Sequence, residues 1–224
     1  MGTMIELKAP DGHTLAAYRA EPAGKPRGGL VVIQEIFGVN SHIRAIADGY
    51  AADGYLAIAP ALFDRVKRGV ELGYTQPDIK AGMDIRGQVP LEGALKDVEA
   101  AIAAAANAGK VGIVGYCWGG FISWTAAARV AGLTCAVPYY GGGTTTDESI
   151  ARQPRCPVML HYGERDDHIP VSGVQKLAAA HPKQAVHIYA AGHGFNCDQR
   201  GSYDAASAKL ARSRTVEFLR QHLG

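Results

Sequence analysis

Short apolar runs alternate along the chain with segments of helical periodicity. Continuous apolar runs predict buried strands at 29–34, 55–60, 110–115, 135–140, 157–162 and 185–190. Amphipathic or alanine-rich patterns predict helices at 41–52, 91–107, 118–130, 171–180 and 203–222. Strands that alternate with helices imply βαβ crossovers and a mainly parallel sheet. We therefore predict a three-layer α/β fold, in which helices flank both faces of a central sheet, and a single domain over 1–224.

Two segments depart from this alternation. The runs 6–8 and 14–18, joined by a turn at Asp11-Gly12, predict an antiparallel hairpin at one edge of the sheet. Segment 61–90 carries several glycines and basic residues without clean periodicity. Loops of this length are usually functional in compact domains. The segment is therefore either a lid over a site or a solvated excursion with broken short helices.

Composition and charge exclude several classes of protein. The 23 Lys+Arg nearly balance the 21 Asp+Glu, so the chain lacks the basic stripe of a nucleic-acid binder. No apolar run reaches the length of a membrane span, and the N-terminus lacks the pattern of a secretory signal. We expect a cytoplasmic protein without membrane contact. The four cysteines form no CxxC pair, so we expect free thiols.

The segment Gly115-Tyr116-Cys117-Trp118-Gly119-Gly120 carries the candidate chemistry. It lies between a predicted strand and a predicted helix, and has the G-x-nucleophile-x-G pattern with cysteine at the position of the nucleophile. Glycines two residues either side avoid collisions across the sharp turn, and the helix N-terminus favours a thiolate. The alternative is a glycine-rich turn that holds a buried, inert cysteine.

Residues further along the chain complete a catalytic pattern. Elbow enzymes order their triad as nucleophile, acid and histidine. Glu164, Asp166 and Asp167 follow the strand at 157–162, and any of them could orient a histidine. His193 lies between two glycines directly after the last predicted strand, so it can reach Cys117 at the carboxyl edge of the sheet.

These motifs resemble those of the dienelactone hydrolase (carboxymethylenebutenolidase) family. The resemblance rests on 34–40, 115–120, 163–170 and 192–195. It implies the α/β-hydrolase fold, a Cys117–Asp166–His193 triad and a role for Glu35 in forming the thiolate. It also implies an oxyanion hole built from the backbone N–H groups of Ile36 and Trp118. Two such donors stabilise a charged tetrahedral intermediate.

The resemblance further implies a substrate. Family members open small lactones that carry a carboxylate, and the expected products here are maleylacetate-like acids released from a thioester acyl-enzyme. One arginine that holds the carboxylate lies four residues past the histidine, where this chain has Cys197; Arg200 could replace it. The other belongs to segment 61–90, where the candidates are Arg65, Arg68, Lys80 and Arg86. We name Arg200, Arg86 and Tyr139 as candidate substrate-binding residues.

Other functions remain open at this point. A thioesterase or acyltransferase could use the same acyl-enzyme, and a non-catalytic binding protein could keep the fold with a reactive thiol. His193 and Cys197 have a ligand-like spacing, but no second close pair completes a tetrahedral set, so we expect no metal. No dinucleotide-binding or phosphate-binding motif is present, and we expect no cofactor. We expect a monomer.

Overall fold

A computed structural model describes residues 2–224, which contain one eight-stranded sheet. The strands are β1 Thr3–Lys8, β2 Thr14–Ala20, β3 Gly28–Ile33, β4 Tyr55–Pro60, β5 Val111–Tyr116, β6 Leu133–Tyr139, β7 Met159–Gly163 and β8 Ala185–Tyr189. The helices are α1 Ser41–Ala52, α2 Gln76–Arg86, α3 Leu91–Ala105, α4 Trp118–Arg129, α5 Asp147–Ile150, α6 Val171–Ala180 and α7 Ala205–Leu223. Short 3₁₀ turns lie at Leu62–Arg65 and Ala106–Ala108.

The sheet has the strand order β1-β2-β4-β3-β5-β6-β7-β8. Strands β3 to β8 are parallel, while β1 and β2 form the antiparallel hairpin at the edge. Helices α3 and α4 contact each other on one face, and the Arg212–Asp53 ion pair joins α7 to the end of α1 on the other. The predicted three-layer α/β fold is confirmed, and the hairpin agrees with its prediction.

The central strands explain why the sequence pattern was continuous rather than alternating. Every residue of β3, β4 and β5 is buried, because helices cover both faces of the sheet. Among the described residues, no helix combines the length with the apolar character that a bilayer crossing requires. The four cysteines are free thiols.

Segment 61–90 contains a helix that the periodicity did not reveal. Helix α2 begins with a capping box, in which the Thr75 hydroxyl accepts from the Asp78 N–H and the Asp78 carboxylate accepts from the Thr75 N–H. It packs closely on the loop after β3, since a Cβ at Gly82 would lie 2.1 Å from the Ile36 carbonyl oxygen. The segment is therefore neither a disjointed excursion nor a set of broken helices, and α2 covers the carboxyl end of β3.

A buried ion pair fixes the start of this segment to α3. The Arg65 guanidinium donates two hydrogen bonds of 2.8 Å to the Asp97 carboxylate, and a third of 2.9 Å to Asp11 in the hairpin turn. The Asp97 side chain has no solvent exposure. Arg65 is thus committed to a structural network that joins the hairpin, the turn after β4 and α3.

We expect Asp97→Asn to lower the free energy of unfolding by about 3 kcal/mol, because it removes the charge that balances a largely buried guanidinium. The matched control is Glu92→Gln, which breaks an arginine pair of 2.8 Å on the same helix that is exposed to solvent. That pair should contribute less than about 1 kcal/mol. Urea denaturation measures both, and equal losses would contradict the assignment.

Candidate active site

The Cys117 sulfur lies on a sharp turn between β5 and α4. Its backbone has φ 55° and ψ −116°, a conformation that residues with a side chain rarely adopt. A Cβ at Gly115 would lie 2.0 Å from the Gly119 carbonyl oxygen, and one at Gly119 would lie 2.5 Å from the Ile33 and Gln34 carbonyl oxygens. The two glycines are therefore required by close contact, and the turn has the elbow geometry that the motif predicts.

Two side chains form a hydrogen-bonded chain with this sulfur. His193 Nε2 lies 3.2 Å from Cys117 Sγ, and His193 Nδ1 lies 2.8 Å from Asp166 Oδ2. Asp166 is buried, and its other oxygen accepts from the backbone N–H groups of His168 and Ile169 at 2.8 and 3.2 Å. The backbone therefore fixes the orientation of the carboxylate before any substrate binds.

The sequence left three carboxylates open as the partner of His193. Asp166 alone makes that contact among the described residues, while Glu164 and Asp167 are exposed. This arrangement agrees with the residue that the family resemblance implies.

The electrostatics favour a charged imidazole. Burial opposes protonation of His193, but the hydrogen bonds to Asp166 and Cys117 outweigh burial and raise the pKa of His193 to about 10. A thiol beside such an imidazole can transfer its proton to form a thiolate–imidazolium pair. The N-terminus of α4, which begins at Trp118, adds a positive dipole end on the same side.

Two residues that line this region have backbone N–H groups without a partner among the described residues. Neither Ile36 nor Trp118 donates a backbone hydrogen bond to another described residue, and both residues line the pocket beside Cys117. Ile36 follows the end of β3 and Trp118 opens α4. Unpaired donors on either side of a sulfur can bind a developing oxyanion.

A pocket of about 350 Å³ opens above the sulfur. Helix α2 forms one wall through Ile79, Met83 and Arg86. The hydrophobic periodicity of the sequence predicted none of the three as a buried residue. The Thr75-x-x-Asp78 spacing was the sequence signal that could have identified this helix. The remaining lining residues come from the loops at the strand ends: Ile36, Phe37, Cys117, Trp118, Gly142, His168, His193 and Arg200.

Glu35 is buried directly behind the pocket and pairs with one of its cations. Its Oε1 lies 3.2 Å from Arg200 Nη1, and the Tyr74 hydroxyl donates to its other oxygen at 3.5 Å. Burial lowers the pKa of Arg200, but the charges around it, Glu35 foremost, outweigh burial and raise that pKa. Glu35 is not a cap of α1, because Asn40 serves as the N-cap of that helix.

The local backbone allows Arg200 to reach this position. Gly194 has φ 74°, and a Cβ there would lie 2.4 Å from Arg200 Nη1. The guanidinium also lies over the Phe37 ring, 5.8 Å from its centroid. Cys197, on the same loop, is fully buried, and burial raises the pKa of its thiol to about 11.

The structure shows which basic residue of segment 61–90 lies at the pocket and which are bound elsewhere. Arg86 lines the pocket and makes no ion pair with any described residue. Arg68 donates to the Thr14 carbonyl, and Lys80 pairs with Asp84 on the exposed side of α2. With Arg65 bound to Asp97, Arg86 is the member of the set that can meet a ligand in this pocket.

Tyr139 does not line the pocket, which corrects the expectation that it binds substrate. Its ring is fully buried, and its hydroxyl forms a 2.6 Å hydrogen bond with Thr215 of α7. The neighbouring Tyr140 has φ 35° and turns its ring toward His193, with the ring centroids 5.2 Å apart. Tyr140 lies just beyond the end of β6, and its positive φ brings its ring near His193 although both tyrosine rings pack against Tyr116 and Phe195.

Known proteins resemble this chain over most of its length. The model of the dienelactone hydrolase family matches residues 15–223. A carboxymethylenebutenolidase of Pseudomonas putida is 33% identical over 96% of this chain and 94% of its own length. A protein of Escherichia coli K12 assigned to the same activity is 38% identical over 95% of this chain and 84% of its own length.

The solved structures give the same result. A protein from Klebsiella pneumoniae assigned as a dienelactone hydrolase superposes with a TM-score of 0.84 and 33% identity, over 99% of both chains. Sequence and structure are thus similar across almost the whole length of the chain. The chain belongs to the dienelactone hydrolase family and is a carboxylic ester hydrolase with the α/β-hydrolase fold.

Proposed function

We propose that this protein opens small lactones or esters that carry a carboxylate, with Cys117 as the nucleophile and a thioester acyl-enzyme as the intermediate. The observation that carries the proposal is the chain from Asp166 through His193 to Cys117, with contacts of 2.8 and 3.2 Å, at the floor of the pocket. The substrate class also fits the carboxymethylenebutenolidase of Pseudomonas putida, whose name gives its activity.

Acylation follows from the charges at the site. The Cys117 thiolate attacks the carbonyl carbon of the lactone, and the oxyanion binds the N–H groups of Ile36 and Trp118. The ring C–O bond breaks as the tetrahedral intermediate collapses, and the His193 imidazolium gives its proton to the departing oxygen. This step leaves a thioester on Cys117 and a neutral imidazole.

Deacylation uses that neutral imidazole as a general base. His193 takes a proton from water, which attacks the thioester carbonyl, and the Cys117 thiolate departs. The product is an open-chain carboxylate, of the maleylacetate type where the substrate is a dienelactone. The new carboxylic acid gives its proton to solvent, and the imidazolium and thiolate, whose pairing raises the pKa of His193 in the free protein, are restored together.

The Glu35–Arg200 pair can link substrate binding to activation of Cys117. Arg200 lines the pocket and contacts Glu35 at 3.2 Å, so a substrate carboxylate that binds Arg200 competes with Glu35. A buried carboxylate that loses its cation becomes a stronger base, because burial disfavours its charged form. In this proposal Glu35 then removes the proton from the fraction of Cys117 that is still a thiol, and so adds to the thiolate that pairs with His193.

The size of the pocket favours a small substrate. Its volume of about 350 Å³ is near the lower limit of ligand pockets, which span roughly 300–1,000 Å³. A thioesterase or acyltransferase acting on long acyl chains needs more room. Arg86 and Arg200 add two cationic groups to a lining that is otherwise mostly apolar, as an anionic lactone requires.

Cys117→Ala should lower kcat/KM for dienelactone and for p-nitrophenyl acetate by at least roughly a thousandfold, because it removes the attacking atom. In the wild-type protein, rapid quenching and mass spectrometry should find an acyl group on the peptide that contains Cys117.

The control for a lost thiol is Cys156→Ala, which removes a buried cysteine away from the pocket and should retain activity. Turnover that survives in Cys117→Ala would refute the nucleophile. Alkylation of Cys117 in a wild-type protein that turns over neither substrate would favour a binding protein instead.

The imidazole of His193 should titrate near pH 10 in the free protein, well above an ordinary histidine. Cys117→Ala should lower this midpoint, because it removes an anionic partner while burial, which lowers the pKa, remains. NMR of selectively labelled histidine measures both midpoints, and His193→Gln identifies the resonance. An identical midpoint in the two proteins would exclude the thiolate–imidazolium pair.

Arg86→Gln should raise KM for an anionic lactone by about tenfold or more, since a hydrogen bond to a charged group contributes about 1.5–3 kcal/mol. KM for the neutral p-nitrophenyl acetate should stay within about twofold. Lys80→Gln removes a positive charge from the exposed side of the same helix and serves as control. An equal rise for both substrates would exclude carboxylate recognition by Arg86.

A further inference from the structure

Three buried side chains that could bind a metal meet behind the catalytic pocket. A ring nitrogen of His42, the Cys197 sulfur and a Glu35 carboxylate oxygen all lie within 4.8 Å of one another. They come from distant parts of the chain: Glu35 follows β3, His42 is in the first turn of α1, and Cys197 lies in the loop before α7. The triad uses neither His42 nor Cys197.

The orientation of His42 leaves one nitrogen free. Its Nδ1 lies 3.3 Å from the carboxylate of Asp198, which is exposed, while the imidazole itself is buried. Its Nε2 is buried and has no hydrogen-bond partner among the described residues. Since Nδ1 faces the surface, Nε2 lies on the inward edge of the ring. Metal-binding histidines typically have this arrangement, with a carboxylate on the nitrogen that does not bind the metal.

We propose that Glu35, His42 and Cys197 bind a divalent metal ion with affinity for nitrogen and sulfur ligands, of which Zn²⁺ fits best. A thiolate, an imidazole and a carboxylate are the ligands that Zn²⁺ uses in proteins. In a tetrahedral site such ligand atoms lie roughly 3.5 Å apart, so the cluster contracts by about 1 Å on binding. The Cys197 thiol releases its proton to solvent, and water occupies the fourth position.

A second cavity gives the ion a route from solvent. It has a volume of about 370 Å³ and is lined by His42 and Asp198, together with Asn196 and residues of α1 and α7. It shares no lining residue with the catalytic pocket. The cavity reaches His42 but neither Glu35 nor Cys197, so an ion that enters this way passes the His42 imidazole to reach the cluster and does not pass the Cys117 sulfur.

Occupation of the site would act on catalysis through Glu35, a consequence that rests on the proposed function. A metal shares the carboxylate charge that now faces Arg200 at 3.2 Å, and it removes the base that assists Cys117. Zn²⁺ should therefore lower kcat for an anionic lactone without raising KM. An ion bound by Cys117 and His193 would instead block the pocket and raise the apparent KM.

Binding can be measured in a protein that has no nucleophile. We expect Co²⁺, titrated into Cys117→Ala, to produce the near-ultraviolet charge-transfer band of a cobalt–thiolate bond. The band should be absent in Cys117→Ala/Cys197→Ala and retained in Cys117→Ala/Cys156→Ala, which removes a thiol outside the cluster. Asp198→Asn changes an exposed residue and should weaken binding by about tenfold or more in the Cys117→Ala background.

Each outcome decides a separate point. No band in Cys117→Ala, or a band of equal strength without Cys197, would overturn the metal site, and so would unchanged affinity in Asp198→Asn. Because these proteins lack the nucleophile, the result is independent of the proposed reaction. Assays with Zn²⁺ then test the consequence: Asp198→Asn should retain metal-free activity and need more Zn²⁺ for inhibition. Unchanged wild-type kcat in saturating Zn²⁺ would overturn the regulatory step alone.

Discussion

The close contact between α4 and the end of β3 is the constraint on which the site depends. Gly119 lies so near the Ile33 and Gln34 carbonyl oxygens that a Cβ there would be 2.5 Å from both. The same turn holds Cys117 at φ 55°, and Ile36, which follows the end of β3, lines the pocket beside its sulfur. The strain costs of order 1–3 kcal/mol and is tolerated because β3, β5 and most of α4 are buried.

Most charged groups at the site lie in pairs, and one cation, Arg86, has no partner among the described residues. His193 lies between Asp166 and Cys117, and Arg200 pairs with Glu35. Arg86 has no such partner among the described residues, so the pocket retains a positive charge for a ligand. Removing charges from water strengthens their interactions. The preference for an anionic substrate and the stability of a thiolate therefore have the same physical origin in the proposed reaction.

The sequence predicted the strands, the hairpin and the order of the triad residues, because these depend on local periodicity and on where strands end. It did not predict α2, whose polar composition hides a helix that packs through Gly82. It also named Tyr139 as a substrate-binding residue, whereas its ring is buried and its hydroxyl bonds to Thr215, a contact between distant parts of the chain that no local pattern encodes. The approach of Arg200 to Glu35 depends on a loop conformation that no periodicity encodes.

Glu35 connects two sites that share no lining residue. From the pocket side it holds Arg200, and from the side of α1 it lies beside His42 and Cys197. A substrate carboxylate on Arg200 and a cation at the cluster would both act on this one buried carboxylate, from opposite directions. Each would make Glu35 more available to the other, since linkage requires any coupling between two bound ligands to be reciprocal. A metal at the cluster would therefore strengthen substrate binding, because it frees Arg200, and would slow the reaction, because it occupies the base Glu35. This coupling passes through one shared side chain and needs no movement of the fold.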